Sequence, residues 1–116
     1  MRHQNKKNNL GRNKSHRKAL LTNLAISLIK HKRIKTTLAK AKYLKQFIEP
    51  IITRGKKQDT HSMRIVFKKL NYKTAVLELF KNISKHNLKR NGGYTRIIKL
   101  GKRLGDFSEM AIMELV

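Results

Sequence analysis

The chain has 116 residues, and its 29 Lys and Arg against 6 Asp and Glu give a formal net charge of +23 at neutral pH. This length favours a single domain, and the like charges repel one another, so we expect a partner of opposite sign, most commonly a nucleic acid. The chain has no Cys, which excludes disulfides, thiolate zinc sites and thiol nucleophiles, and six carboxylates leave little material for acid–base catalysis.

Residues 1–14 are the most polar part of the chain. Apart from Met1 their one aliphatic residue is Leu10, and the first acidic residue of the whole chain is Glu49. Such a segment is either a solvated, frayed terminus or a basic arm that becomes ordered on nucleic acid. We therefore divide the chain into an extended basic N-terminal arm at 1–14 and a single domain at 15–116.

The apolar stretch at 19–29 raises the question of targeting. A basic, acid-free start of this kind is also typical of an organellar transit peptide. A secretory signal is disfavoured, because Asn23 interrupts the stretch and no small-residue cleavage site is evident. No run approaches the ~18 apolar residues of a membrane span, so we predict no membrane partner.

The first helix is predicted from Ser15 onward, with Ser15 as its N-cap. Apolar residues recur there at four-residue spacing, at Leu20, Leu24 and Leu28, with Leu21 and Ala25 beside them on the same helix face. Arg17 and Lys18 stand in the first turn, where the helix dipole disfavours positive charge. That reversal indicates an external anion at this end of the helix.

The segment Arg33–Thr37 predicts a brief strand or an extended connector, and Thr37 is placed to cap the helix that follows. This second helix has an apolar stripe at Ala41, Leu44, Ile48, Ile51 and Ile52. Pro50 lies within the stripe and lacks the N–H that an interior helical position needs. We therefore expect a kink or a break near residues 46–50.

Two further helices are predicted, the third capped by Asp59 or Thr60 and the fourth by Asn71. The run Asn91-Gly92-Gly93 then ends the helical pattern, because these residues favour turns.

Two strands are predicted at 94–100 and 110–116. We expect them to form a hairpin that the segment at 33–37 joins laterally. The sequence thus predicts a two-layer α+β fold, with about four helices packed on a small mixed three-stranded sheet.

The chain lacks the patterns of catalytic and metal sites. Its five His do not stand at metal-ligand spacing, and no nucleophile–base pattern occurs. We therefore predict no enzyme activity, no metal, no cofactor and no small-molecule substrate. The loop at 101–109 lacks the G-x-x-x-x-G-K-[ST] order, so it is either a basic turn that lies on a phosphate backbone or a simple solvated turn.

Tyr94 stands between two glycines and Arg96. In that context it can stack on an RNA base, as aromatic side chains do in RNA recognition, or it can cover the edge of the core, which we favour slightly. The basic residues are spread over the arm, helices and loops. This distribution suits an irregular folded RNA that contacts the protein on several sides.

Six segments resemble, in the same order, those of a known family. They are Asn13–Ala19, Asn23–His31, Ile34–Lys42, Glu49–Thr53, Gly92–Lys99 and Met110–Val116. Together they resemble the bacterial large-subunit ribosomal protein number seventeen family, and the similarity runs from Met1 to Val116. It weakens the transit-peptide interpretation, because the start is similar to that of the mature family protein.

The resemblance implies a structural role without catalysis. It implies a cytoplasmic protein of the large ribosomal subunit that binds large-subunit ribosomal RNA near the rim of the polypeptide exit tunnel and supports translation. Neighbouring large-subunit ribosomal proteins on the exit-tunnel side are the implied protein partners.

The resemblance also implies which residues contact RNA. In the arm and at the start of the first helix, the matching positions are Arg2, His3, Arg12, Asn13, His16 and Arg17. The later segments contribute Thr36, Thr37, Lys40, Lys42, Tyr94 and Arg96. The predicted RNA-binding set is completed by basic residues of the arm, of the segment at 33–37 and of the loop at 101–109, namely Lys6, Lys7, Lys35 and Arg103.

Two other functions stay open on composition alone. The first is a protein that compacts or regulates DNA, which needs the same excess of cations. The second is a cationic membrane-active protein, since the first helix is amphipathic. The α+β pattern and the uniform lysine coverage favour a folded core over the membrane-active alternative.

Overall fold

The computed structural model describes residues 13–116. Within this range the helices are α1 (Lys14–His31), α2 (Leu38–Gly55), α3 (Thr60–Leu70) and α4, and the strands are β1 (Arg33–Thr37), β2 (Thr95–Lys102) and β3 (Glu109–Leu115). Helix α4 consists of Lys73–Glu78, a π-helical segment at Leu79–Ile83 and a last turn at Ser84–His86. The predicted α+β class, with four helices and three strands, is confirmed.

The sheet is antiparallel throughout, with the strand order β1-β3-β2. Strands β1 and β2 run in the same direction, but β3 lies between them, so no parallel pair forms. The prediction of a mixed sheet is wrong in this detail for that reason. The hairpin of β2 and β3 and the lateral position of β1 are confirmed.

Two of the four predicted helix N-caps are confirmed, those of α2 and α3. Asp59 caps α3, since its carboxylate accepts from the Ser62 N–H at 2.6 Å, and Thr37 caps α2. Helix α1 is capped by Asn13 rather than Ser15, because the Asn13 Oδ1 accepts from the His16 N–H at 2.8 Å. Asn71 does not cap α4. It ends α3 in the left-handed region, with φ of 51°, a conformation that Asn tolerates.

Helix α2 continues through Pro50 to Gly55, so the expected break does not occur. Ile48, Ile51 and Ile52 are buried on both sides of Pro50, whereas Pro50 itself is exposed. Packing of these isoleucines stabilises the helical conformation across the position where one backbone donor is missing.

The core lies between the helices and the inner face of the sheet. Helix α1 contributes Leu21, Ala25, Leu28 and Ile29, whereas Leu20 and Leu24 are only half-buried. Of the predicted apolar face, Leu21, Ala25 and Leu28 are therefore the buried part, because α1 packs on α2 and α4 at once. Ala111 and Met113 of β3 are fully buried beneath the helices.

An ion pair joins Lys32, the residue that caps the end of α1, to α4, since the Lys32 Nζ lies 2.6 Å from the Glu78 Oε1. Hydrogen bonds from Lys32 and Asn82 hold the pKa of Glu78 below its usual value.

Candidate nucleic-acid interface

Five of the predicted RNA-contact residues lie outside the part of the chain that the structure describes. They are Arg2, His3, Lys6, Lys7 and Arg12. The other predicted residues fall at four places: the start of α1, the β1–α2 junction, the start of β2, and the β2–β3 hairpin.

At the start of α1, the Asn13 side chain is engaged in capping, His16 is exposed and Arg17 is half-buried. Arg17 lines a cavity of about 710 Å³ together with four lysines, namely Lys14, Lys18, Lys68 and Lys69. The reversed dipole charge had already indicated Lys18, and Lys14 joins it because α1 begins at Lys14. The other two are brought here by the packing of α3, which no local signal indicates.

Strand β1 places its residues on opposite faces of the sheet. Lys35 is exposed on the outer face, whereas Thr36 is buried on the inner face. Thr36 therefore belongs to the core and is not available for direct RNA contact. Thr37 caps α2 by accepting from the Lys40 N–H at 3.3 Å, and beyond it Lys40 is half-buried and Lys42 exposed.

The outer face of the sheet brings Lys35 and Arg96 onto one surface. Glu114 of β3 lies between Arg33 and Arg96 in the register, with its carboxylate 3.5 Å from the Arg33 Nε and 3.1 Å from the Arg96 Nε. One carboxylate thus serves two guanidinium groups, which leaves a net positive charge there. Arg33 was missed by sequence reasoning, although strand alternation places it on the same face as Lys35.

Tyr94 lies in the core with 1% of its surface exposed, so its ring is not available to stack on a base. Its hydroxyl is hydrogen-bonded to the Thr53 hydroxyl at 3.1 Å and to the Lys56 ammonium at 3.0 Å. Burial raises the pKa of Tyr94, but these hydrogen bonds and the charge of Lys56 outweigh burial, so its pKa is lowered. Of the two interpretations of Tyr94, the structure therefore supports the core role.

The β2–β3 hairpin holds Arg103 in a local ion pair. Its Nε and Nη2 donate to the two Asp106 carboxylate oxygens at 2.7 and 2.6 Å, and the Ser108 N–H donates to the same carboxylate. The Arg103 guanidinium and Ser108 hold the pKa of Asp106 well below its usual range. The loop is an internally bonded turn, and Arg103 reaches an outside anion only in competition with Asp106.

Lys and Arg side chains without a carboxylate partner are in large excess on the surface of residues 13–116. Across residues 13–116, carboxylates pair with Lys32, Arg33, Arg96 and Arg103, and the other Lys and Arg of this range form no ion pair with a described carboxylate. In the same range no cluster of His, Asp and Glu is grouped to hold a metal ion, and no helix is long and apolar enough to cross a membrane. The fold and the surface are those of a small basic α+β protein whose free cations suit a polyanion.

Comparisons with known proteins identify the family. The profile of the family described as ribosomal protein L17 matches residues 20–116. The chain is 61% identical, over all of its 116 residues and 72% of the relative, to the large ribosomal subunit protein bL17 of Bacteroides fragilis. It is 58% identical, over its full length and 71% of the relative, to the bL17 protein of Flavobacterium johnsoniae.

The chain therefore belongs to the ribosomal protein L17 family, as the resemblance predicted. Membership makes it a structural ribosomal protein rather than an enzyme, which agrees with the lack of catalytic motifs.

Proposed function

We propose that this protein is a cytoplasmic, structural component of the large ribosomal subunit that binds large-subunit ribosomal RNA. The observation that carries the proposal is the excess of unpaired cations on a folded domain, in a chain of net charge +23. Large-subunit RNA supplies the negative charge that this surface needs. Family membership supports the same assignment.

Binding rests mainly on contacts to phosphates. Arg17 at the start of α1 and Lys35 on the outer sheet face, with the arm residues, neutralise phosphates and release the counterions around them. Arg12, His16 and Arg17 fix the register of the arm through backbone contacts rather than base reading. If about six to ten phosphate contacts form, the affinity falls by roughly 10³–10⁵ between 50 and 200 mM salt.

The finer location is part of the same proposal. The protein lies near the rim of the polypeptide exit tunnel and touches neighbouring large-subunit ribosomal proteins there. Exposed apolar side chains on α3 and α4 support protein contacts, since Phe67 and Leu77 leave nearly half of their surface accessible. A photo-reactive residue at position 77 in assembled subunits should form adducts with tunnel-rim components. Adducts confined to the face that meets the small subunit would refute this location.

The test of the main proposal is co-fractionation. The tagged full-length chain should sediment with large subunits through a sucrose gradient after a high-salt wash, and RNase treatment should release it. Association with DNA that persists after RNase would instead support the DNA-compacting alternative. A chain that lacks residues 1–17 should bind the RNA more weakly and with a smaller salt dependence; unchanged affinity and salt dependence would contradict the role of the arm.

A further inference from the structure

A cavity of about 710 Å³ opens between α1, α2 and α3, and five of its lining residues are cations while none is an acid. Its volume falls within the range of roughly 300–1,000 Å³ that is typical of small-ligand sites. Because the structure shows no carboxylate at the cavity, the cations there have no local counter-charge. An anionic ligand is the simplest complement to such a lining.

The cations come from two helix ends that face the same space. Lys14, Arg17 and Lys18 lie in the first turns of α1, which has no acid in its first turn. There the positive end of the helix dipole adds to their charge instead of offsetting it. Lys68 and Lys69 approach from the last turn of α3. None of the five forms an ion pair with a carboxylate in residues 13–116.

The other lining residues are apolar, and two of them are aromatic. Tyr43 and Phe47 stand one turn apart on α2, so they share a face. Both are half-buried: they pack against the core and still line the cavity. Proteins combine aromatic side chains with nearby cations to stack a base and at the same time neutralise its phosphates.

We propose that this cavity takes one unstacked nucleotide of the ribosomal RNA. The base stacks against Tyr43 and Phe47, and Arg17 with the surrounding lysines binds the phosphates on either side of it. This inference rests on the proposed RNA-binding function and names a particular site for it. Recognition here is by stacking and charge, since no Asn, Gln, Asp or Glu side chain lines the cavity to read a base edge.

The first test separates stacking from charge. Tyr43→Leu and Phe47→Leu keep an apolar side chain but remove the ring, so each should weaken binding of the full chain to purified large-subunit RNA by about tenfold without changing the salt dependence. Tyr43→Phe keeps the ring and should keep the affinity. Lys68→Gln with Lys69→Gln should instead lower the salt slope by about 1.4–1.8.

The matched control is Tyr72→Leu, the same type of change at an exposed aromatic residue just before α4 that does not line the cavity. It should leave the affinity unchanged. If the wild-type chain binds the RNA but Tyr43→Leu and Phe47→Leu bind as tightly, the nucleotide site is wrong and the general RNA-binding function stands. If the wild-type chain fails to bind, the proposed function itself is wrong.

A second measurement starts from native subunits, in which this chain carries no substitution. Ultraviolet cross-linking of native large subunits should leave a nucleotide adduct on the peptide that contains Tyr43 and Phe47, as mapped by mass spectrometry. Adducts that occur only on other peptides of this chain contradict the site. A photo-reactive phenylalanine analogue at position 47 that joins a protein instead of RNA would show that the cavity docks an acidic protein segment, which also overturns the proposal.

Discussion

Glu49 shows how a rare acid is used in a basic protein. It is the first carboxylate of the chain, and it accepts three hydrogen bonds from the start of β2. The donors are the Tyr94 N–H at 3.0 Å, the Thr95 N–H at 3.1 Å and the Thr95 hydroxyl at 2.7 Å. The carboxylate thus joins α2 to β2 and satisfies two backbone donors that the sheet does not pair.

Glu49→Ala should lower the free energy of unfolding by roughly 1–3 kcal/mol, because it leaves partly buried N–H groups without an acceptor. Urea unfolding monitored by circular dichroism measures the change. Glu109→Ala is the control, since Glu109 is exposed and its loss changes the net charge by the same amount. Equal unfolding midpoints for the two variants would show that the three hydrogen bonds contribute nothing net.

At the scale of the elements, α2 and α4 approach each other closely at Gly55. Gly55 ends α2 directly against Ser84, and a Cβ at position 55 would overlap the Ser84 Oγ. That hydroxyl is buried and has no hydrogen-bond partner in the described chain. The π-helical segment Leu79–Ile83 comes just before Ser84, and its Leu79 side chain lies next to the same glycine. A side chain at position 55 would have to displace the Ser84 hydroxyl, so glycine is favoured there by space rather than by backbone freedom.

Gly55→Ala should destabilise the protein by about 1–3 kcal/mol through overpacking. Adding Ser84→Ala should recover most of this loss, because it removes the overlapping atom. Thermal unfolding of the single and double variants measures the coupling. Gly92→Ala meets no atom within 4 Å and serves as the control. A double variant no more stable than Gly55→Ala alone would mean that the Ser84 hydroxyl is not the obstacle.

Local patterns were sufficient where neighbouring residues decide the outcome. Strand β1, the α2 cap residue Thr37 and the β2–β3 hairpin follow from short-range residue types. Asn13 and Ser15 are both good caps by residue type, so the local pattern does not decide between them. The continuity of α2 through Pro50 depends on packing by residues of other elements.

The candidate site was predictable to a lesser degree. The reversed charge at Arg17 and Lys18 indicated an anion near the start of α1. The cavity itself joins that end to Lys68 and Lys69, some fifty residues along the chain, and only the tertiary fold brings these parts together. Tyr94 was ambiguous in the sequence because a glycine-flanked aromatic residue fits both a surface and a core role.

For the whole molecule, self-repulsion opposes the fold. The chain has a net charge of +23, and the few ion pairs of residues 13–116 offset a small part of it. Most of the remaining cations are exposed, where salt screens their repulsion effectively. The free protein should therefore gain stability from any condition that weakens repulsion between its own charges.

The melting temperature of the free protein should rise as NaCl increases from 10 mM to 1 M, since the Debye length falls from about 30 Å to about 3 Å. If screening removes about 1 kcal/mol of repulsion, the rise is roughly 4 °C. A variant with Lys85→Glu and Lys89→Glu, both at exposed positions, lowers the net charge by four and should gain less. A melting temperature that is flat or falls with salt would contradict this account.

The strand order has a consequence for how the chain reaches its fold. Strand β3 follows the other elements of residues 13–116 and is also the middle of the sheet, so β1 and β2 have no strand partner within this range until it arrives. Its pairing with β1, for example Ile34 with Met113, closes a loop of nearly eighty residues. Such long-range closure is slow because chain entropy must be lost before the contacts form. During synthesis the helices therefore emerge first, and the sheet assembles only once β3 has left the ribosome that makes it.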